Sequence, residues 1–368
     1  MENNLYAVLA INPGSTSTKV AVYEDVRPVF VEKIYHSVEE LKIYVNVMSQ
    51  YNFRKKLILK TLAEKNYDIK KLRAVAGRGG LMRPVEGGTY VVDECMLEDL
   101  KSCRFGEHAS NLGAVLAYEI GNELGIPAYV VDPVVVDEME PMAKITGIPE
   151  ILRRSVFHAL NQKAVARKAA ALLGKRYEEI NIIVAHLGGG ITVGAHRRGR
   201  VVDVNNGLDG EGPFSPERAG RLPALEVAKM CLTKNLNLSA IKRMLAGGGG
   251  LVAHLGTSDA KTVREMINSG DTKAGLVFEA MAYHVAREIG ACAAALSGKV
   301  DAIALTGGLA YDEQFVEWIK ERVAFIADVY VFPGEDELEA LAQGALRVLK
   351  GLEEAKIYEK CGAEAVSF

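Results

Sequence analysis

Residues 12–19 read NPGSTSTK. Ser15, Thr16, Ser17 and Lys19 crowd around one glycine, with Asn12 just ahead. Hydroxyl, amide and ammonium donors at such short spacing are the chemistry of anion binding, and of phosphate in particular. The pattern is not the common P-loop: the second glycine is missing, and the alternating run KVAVYED (19–25) follows where a helix would have to open. The reading is a β-hairpin between the buried strand LYAVLAI (5–11) and 19–25, with a tip that presents backbone N–H groups to an anion. A merely polar tip is the bland alternative, and it leaves five such residues beside one glycine unexplained.

Other residue types fit the same chemistry. HLGGG (186–190) is a second glycine turn, with His186 ahead of Gly188, Gly189 and Gly190. LTGGLA (305–310) runs from a strand into Gly307, Gly308 and Leu309. Arg78 lies between Gly77 and Gly79, which allow backbone to approach a ligand closely. Arg218 sits in SPERAG (215–220). A lone arginine is more often a solvated turn residue, and both arginines carry that alternative. His158 stands near the start of a helical run, where a core histidine is the commoner fate. His108 could simply cap the helix it opens, and Asp132, ahead of Pro133, could be a turn aspartate.

The elements that position these residues follow from pattern. Ser37 and Glu40 form a capping box, read as opening a helical stretch to about Asn66. LRAVAGRGG (72–80) is strand then turn, GTYVVDE a strand, and 107–125 a helix with Gly125 at its C-cap. IPAYVVDP (126–133) is a strand ending in Asp132, and the Pro-containing 138–149 reads as a domain boundary. The pattern then restarts: helix 156–174, strand 181–187, the GGG turn, strands 191–200 and 201–204, and later strand 301–308 with a helix after it. Two strand–turn–strand hairpins imply two related α/β domains, with a nucleotide in the cleft between them.

Bulk composition sets limits. The 368 residues are 49% hydrophobic and 25% charged, enough chain for two domains. A net charge of −3 with mixed signs points away from nucleic acid. No apolar run has a membrane span's length of roughly 20 residues, and the N-terminus does not read as a signal peptide. Five cysteines without a CxxC read as reduced thiols of a cytoplasmic protein. No GxGxxG follows a strand, which disfavours nicotinamide chemistry.

In this order the motifs resemble the acetate and sugar kinase, heat-shock chaperone and actin superfamily, and within it the acetokinase family. NPGSTSTK, FH (157–158), HLGGG, ERAG (217–220), LTGGLA and EDELEALA (335–342) are similar to the acetate kinase motifs. Pro13 after Asn12, RGGLMRP (78–84) and FPGEDELEALAQGA (332–345) look most like butyrate kinase. Two departures argue against acetate kinase itself. Gln162 stands where the F-H-G-T-S-H motif has its second histidine, and LDGEG (208–212) replaces T-P-L-E-G.

The resemblance implies two duplicated actin-like, ribonuclease H-like α/β domains with mixed sheets flanked by helices, and an interdomain nucleotide cleft. The first would comprise 1–148 plus 338–368, with C-terminal helices crossing back, and the second 149–337. It implies transfer of the γ-phosphoryl of ATP to butyrate, isobutyrate or a similar short acid, reversibly, giving acyl phosphate and ADP. Acetate or propionate kinase and a hydroxyl kinase of the same fold are the alternatives. Catalytic roles fall on Arg78, Arg218, His158 and Asp132. Asn12, Ser15, Thr16, Ser17, Lys19, His186, Gly188, Gly189, Gly190, Gly307, Gly308 and Leu309 would hold the nucleotide. Arg78, Gly79, His108, Phe157 and Gly210 would meet the acid, Gly210 by leaving room for a longer tail. Mg²⁺ would be held by Asp132, Asn12 and Glu337, with Asp336 the alternative to Glu337. A homodimer or higher homo-oligomer is implied. A carboxylate is already ionised at neutral pH, so this chemistry needs no base. It needs cations that cancel the repulsion between two anions, about 4 kcal/mol for unit charges 4 Å apart at an effective dielectric of 20.

Overall fold

The computed structural model describes residues 5–358. Cys361, the end of the 338–368 segment and the first four residues lie outside the described residues. The chain separates into two compact units, 1–136 with 336–368 and 137–335. The first division precedes the Pro-containing stretch because Glu138 is tied into the second unit, where its carboxylate accepts from Lys163 Nζ and from the Val201 N–H. Among the described residues no helix is long and apolar enough to cross a membrane, and Cys95, Cys103, Cys231 and Cys292 are free thiols.

In the first unit β1 (Ala7–Pro13), β2 (Ser17–Glu24) and β3 (Arg27–Tyr35) form an antiparallel meander. Helices α1 (Val38–Lys42) and α2 (Tyr51–Glu64) follow. Then come β4 (Leu72–Gly77), β5 (Thr89–Val91), α3 (Glu94–Lys101), α4 (Asn111–Leu124) and β6 (Ala128–Val131). In the second unit α5 (Pro141–Lys144) and α6 (Ala159–Leu172) precede a second meander, β7 (Asn181–Leu187), β8 (Ile191–Arg197) and β9 (Arg200–Val204). Five helices follow: α7 (Ala224–Thr233), α8 (Leu238–Leu245), α9 (Gly250–Leu255), α10 (Ala260–Asn268) and α11 (Thr272–Ala295). Strand β10 (Ala302–Gly307), α12 (Glu313–Val323) and β11 (Val329–Pro333) end this unit. The chain then returns to the first unit through α13 (Glu337–Leu349) and β12 (Lys356–Ile357).

The first sheet runs β12-β5-β6-β4-β1-β2-β3 and the second β11-β10-β7-β8-β9. In each, the meander's first strand lies parallel to the next strand of the sheet, and that strand to another: β1 to β4 to β6, and β7 to β10 to β11. The duplication read from the two hairpins is therefore one of topology.

Alternation along the strands decides what each face meets. On β1, Ala7, Leu9 and Ile11 join a core with Ile58, Leu62, Leu112 and Val115. Asn12 falls on the opposite face and hydrogen-bonds α13. On β7, Ile183, Ala185 and Leu187 meet Phe278, Met281 and Val285 of α11, whereas Ile182 and Val184 meet Val165 and Ala169 of α6. His186 shares the α6 face. Two elements depart from expectation. The helix capped by Ser37 and Glu40 ends at Lys42, and α2 starts only at Tyr51, because IYVNV (43–47) brings β-branched residues poor in helix propensity. Edge strand β3 was not anticipated, since its residues are mostly exposed and Pro28 interrupts its pattern.

Candidate active site

In the first unit, Asn12, Arg78 and Asp132 stand at or just beyond the carboxyl ends of three neighbouring parallel strands, β1, β4 and β6. That is where α/β sheets collect ligands. Ala74, Ala76 and Arg78 share a face, and the two alanines let α13 approach β4. Glu337, at the start of α13, receives Asn12 Nδ2 at 2.5 Å and also Arg78 Nη1. Glu337 is buried and Asp336 is exposed, so Glu337 is the acid that meets Asn12 and Arg78. Gly77 is required by packing, since a Cβ there would lie 2.1 Å from the Gly113 carbonyl of α4.

Asp132 is fully buried at a left-handed φ of 38°. Its Oδ1 accepts the Gly88 N–H at 2.7 Å, and its own N–H donates to the Gly88 carbonyl at 2.9 Å. A base would need its oxygens turned to substrate, and one is committed here. His108 Nδ1 lies 2.8 Å from Ser110 Oγ and accepts the Ser110 N–H, a turn just before α4. Burial and the charge of Arg78 hold its pKa below the ordinary value.

The 14–18 hairpin tip has a support that the sequence reading missed. Arg54 is buried on α2, and its guanidinium donates to the carbonyls of Gly14 (2.8 Å), Ser15 (3.2 Å) and Ser17 (3.2 Å), to Thr18 Oγ1 (3.1 Å) and to Gln50 Oε1 (2.8 Å). With the carbonyls of Gly14, Ser15 and Ser17 drawn to Arg54, Ser15 and Thr16 are exposed and Ser17 and Lys19 half-buried. A signal for Arg54 existed: it shares the i, i+4 stripe of Ile58 and Leu62, the buried face of α2.

In the second unit the imidazoles of His158 and His186 stack, with centroids 3.7 Å apart and planes 11° from parallel. His158 stands at the N-cap position of α6 without a side-chain capping bond, and its Nδ1 lies 2.9 Å from Thr192 Oγ1. His186 is 1% exposed, and its Nδ1 lies 2.8 Å from Asn161 Oδ1. Its Nε2 has no hydrogen-bond partner, although Glu335 Oε1 sits 3.0 Å away out of alignment. The Gly188–Gly190 turn is closed by Gly188 N–H to the Gly190 carbonyl at 3.2 Å, and Ser215 Oγ donates to the Gly189 carbonyl at 2.6 Å.

Arg218 lies against this turn. A Cβ on Gly190 would come within 1.7 Å of its Nη1, so only glycine admits the guanidinium there. Arg218 Nε is buried without a partner. Burial lowers the Arg218 pKa, against the pull of Glu217 and Asp209. Gly307, at φ 94°, passes the Leu187 backbone so closely that a Cβ would meet its carbonyl at 2.4 Å. Gly308 has open space beside it and Leu309 is buried. Phe157 is buried in the core. The expectation for Gly210 needs correction. At φ 82° its missing side chain leaves no room for an acid, because the Leu245 carbonyl lies 2.9 Å and Arg218 Cβ 3.6 Å from where a Cβ would be. Glycine there serves backbone approach.

Among the described residues no group of three His, Cys, Asp or Glu side chains forms a metal cage.

Two units of one strand topology, each with a glycine turn at the tip of its meander, define the actin-like α/β class of fold. The fold matches acetate kinase from Porphyromonas gingivalis, at 20% identity and a TM-score of 0.75 over 94% of this chain and 100% of that one. It also matches a propionate kinase from Francisella tularensis subsp. tularensis SCHU S4 (20%, 0.71, 92% and 99%) and acetate kinase from Entamoeba histolytica (20%, 0.70, 92% and 99%). Residues 144–332 match the acetokinase family. The chain belongs to that family, phosphotransferases with a carboxyl group as acceptor. The matched stretch contains His158, His186, Gly188–Gly190, Arg218 and Gly307–Leu309.

Proposed function

We propose that the chain transfers the γ-phosphoryl of ATP to a short-chain fatty acid, butyrate or a branched four- or five-carbon acid, giving acyl phosphate and ADP. A carboxylate oxygen forms the new bond to phosphorus. The bond to the bridging oxygen breaks, and its electron pair leaves with ADP. No proton moves, so no base is required. The observation that carries the reading is the buried, unpartnered Nε–H of Arg218, whose guanidinium lies against the Gly188–Gly190 turn. A buried polar atom without a partner costs about 1–3 kcal/mol. Phosphate oxygens supply the acceptors such atoms lack.

In this reading Arg78 clamps the carboxylate, and Arg218 and His158 donate to the oxygens of the phosphoryl in flight. Gly188–Gly190 and His186 hold the phosphate chain, and Gly307, Gly308 and Leu309 support the nucleoside. Asn12, Ser15, Thr16, Ser17 and Lys19 hold the phosphoryl region. Mg²⁺, when bound, neutralises charge on the β- and γ-oxygens. Asp132, Asn12 and Glu337 would hold it, the two carboxylates through water, since Gly88, Asn12 and Arg78 already engage their oxygens.

Preference for a four-carbon acid is supported by the butyrate-kinase-like segments 78–84 and 332–345. Phe157 and Gly79 are proposed as walls of the acid site; the Gly210 argument falls away. Two buried methylenes contribute about 1.6 kcal/mol, somewhat over tenfold in kcat/KM. The test is acyl hydroxamate trapping with ATP, Mg²⁺ and a panel running from acetate to valerate and isobutyrate. Butyrate or isobutyrate is expected to exceed acetate about tenfold. Acetate matching butyrate would make this an acetate kinase, and no hydroxamate from any acid would sink the carboxylate reading.

A further inference from the structure

Behind His158 runs a buried line of polar side chains. On β8, Thr192, Gly194 and His196 project from one face, two residues apart. On α6, Gln162 lies one turn after His158 and is completely buried. Its Nε2 lies 3.0 Å from the Thr192 carbonyl and 2.9 Å from Thr192 Oγ1. Its Oε1 lies 3.0 Å from His196 Nε2, and His196 Nδ1 lies 2.7 Å from the Tyr177 hydroxyl. Gly194 makes the central contact feasible, since a Cβ there would sit 2.5 Å from Gln162 Oε1.

The polarity of this line can be worked out from one end. A backbone carbonyl only accepts, so the atom of Gln162 facing the Thr192 carbonyl must be the NH₂. Its second hydrogen then goes to Thr192 Oγ1. Gln162 Oε1, left facing His196, only accepts, so His196 carries its proton on Nε2. Its bare Nδ1 accepts from the Tyr177 hydroxyl. Burial and the nearby charges of Lys163 and Arg167 keep His196 neutral, with its pKa well below the ordinary value, in agreement with one proton on that ring. At the other end Thr192 Oγ1 already accepts from Gln162. A hydroxyl oxygen can accept twice, but its one hydrogen must also be placed, and among the described residues His158 Nδ1, 2.9 Å away, is the acceptor it faces.

We infer that the chain Tyr177–His196–Gln162–Thr192 fixes His158 as the neutral tautomer with its proton on Nε2. Gln162 and Thr192 are then positioning residues for the imidazole that donates to the phosphoryl group. That assignment of His158 rests on the carboxylate-kinase reading; the tautomer does not. A ring protonated on Nδ1 instead would turn a lone pair, not a donor, toward phosphate oxygens.

The experiment is nitrogen NMR of the full chain labelled with ¹⁵N-histidine, with His158 assigned by its disappearance in His158→Asn. The expected spectrum at neutral pH shows Nε2 protonated and Nδ1 bare. Thr192→Ser keeps the hydroxyl and should keep both the tautomer and near-normal turnover. Thr192→Val removes the donor to Nδ1. It should release His158 into a mixture of tautomers and lower kcat about 10²-fold, the scale of one misplaced transition-state donor, with KM for the acid little changed. Gln162→Glu can only accept, so it claims the Thr192 hydrogen and should move the His158 proton to Nδ1. A wild-type His158 protonated on Nδ1, or on both nitrogens, overturns the inference. So does Thr192→Val with an unchanged spectrum. Failure of the acid panel would leave the NMR result standing, so the two readings fail separately.

Discussion

Arg218 and Arg78 are both cations proposed for anions, yet their settings differ. Arg78 is already paired with Glu337, so Arg78→Ala would leave a buried carboxylate short of a partner and would confuse folding with chemistry. Arg78→Gln keeps a donor for Glu337. Arg218→Ala removes a guanidinium whose Nε has no partner and should leave the fold intact. Each variant is expected to lower kcat by roughly 10³-fold or more, as loss of an arginine on a transferring phosphoryl does, with an unchanged circular dichroism spectrum. Near-normal turnover in both would remove them from the site. At this scale much was readable in the sequence: an arginine between glycines, a histidine before a glycine triplet. What was not readable is second-layer support. Thr192 and Asn161 look like ordinary polar residues, and Gln162 stands out only as a departure from a motif, until the pairing of β7 with β8 and the packing of α6 bring them to the two histidines.

The hairpin β1–β2 and its counterpart β7–β8 were legible as elements, because a glycine-rich turn between two apolar runs leaves few alternatives. Strand β3 was not, since it is mostly exposed and Pro28 interrupts its pattern, nor was the break between α1 and α2, which the β-branched run 43–47 makes inside a stretch read as one helix. Arg54 joins the two cases. Its helix was expected, but its hold on the 14–18 carbonyls spans some 36 to 40 residues of sequence. Burial lowers its pKa to about 10, so the charge persists at neutral pH. Arg54→Met should therefore loosen the tip of β1–β2 while β1 itself stays in the core. The measurement is amide hydrogen exchange at Gly14–Thr18, expected to quicken at least tenfold, with kcat falling about 10–100-fold, since a misplaced support costs on that order. Arg54→Lys should not restore either, because one ammonium cannot reach so many acceptors. Unchanged exchange in Arg54→Met would mean that the tip holds itself.

At the scale of the whole chain, the two units share one strand topology and also one kind of acid sensitivity. Burial leads the causes that lower the pKa of His36 and His108 in the first unit and of His196 and His284 in the second. For His36 the value falls from 6.5 to about 4, with the Arg54 charge as the second cause. Its Nε2 lies 2.8 Å from Thr18 Oγ1, which accepts from Arg54. All four histidines thus stay neutral in the native state at pH values where the unfolded chain takes up protons. Their stabilising effect is complete above about pH 6.5 and is lost as pH falls toward the native values. Glu288, raised by burial, opposes this as one group against four. The carboxylates whose pKa is lowered, among them Glu40 and Asp301, start from 4.5 and 3.8, so their contribution is lost only in stronger acid. Thermal unfolding between about pH 7.5 and about pH 5.5 therefore isolates the histidines, at up to about 1.4 kcal/mol per pH unit for a fully shifted group. The transition temperature is expected to fall across that range. His36→Gln and His196→Gln should each flatten the slope, even if they lower the temperature at the upper end. A transition that is level or rises toward pH 5.5 would show that these histidines are protonated in the native protein. The tautomer chain behind His158 would fail with it, because it requires His196 to carry a single proton.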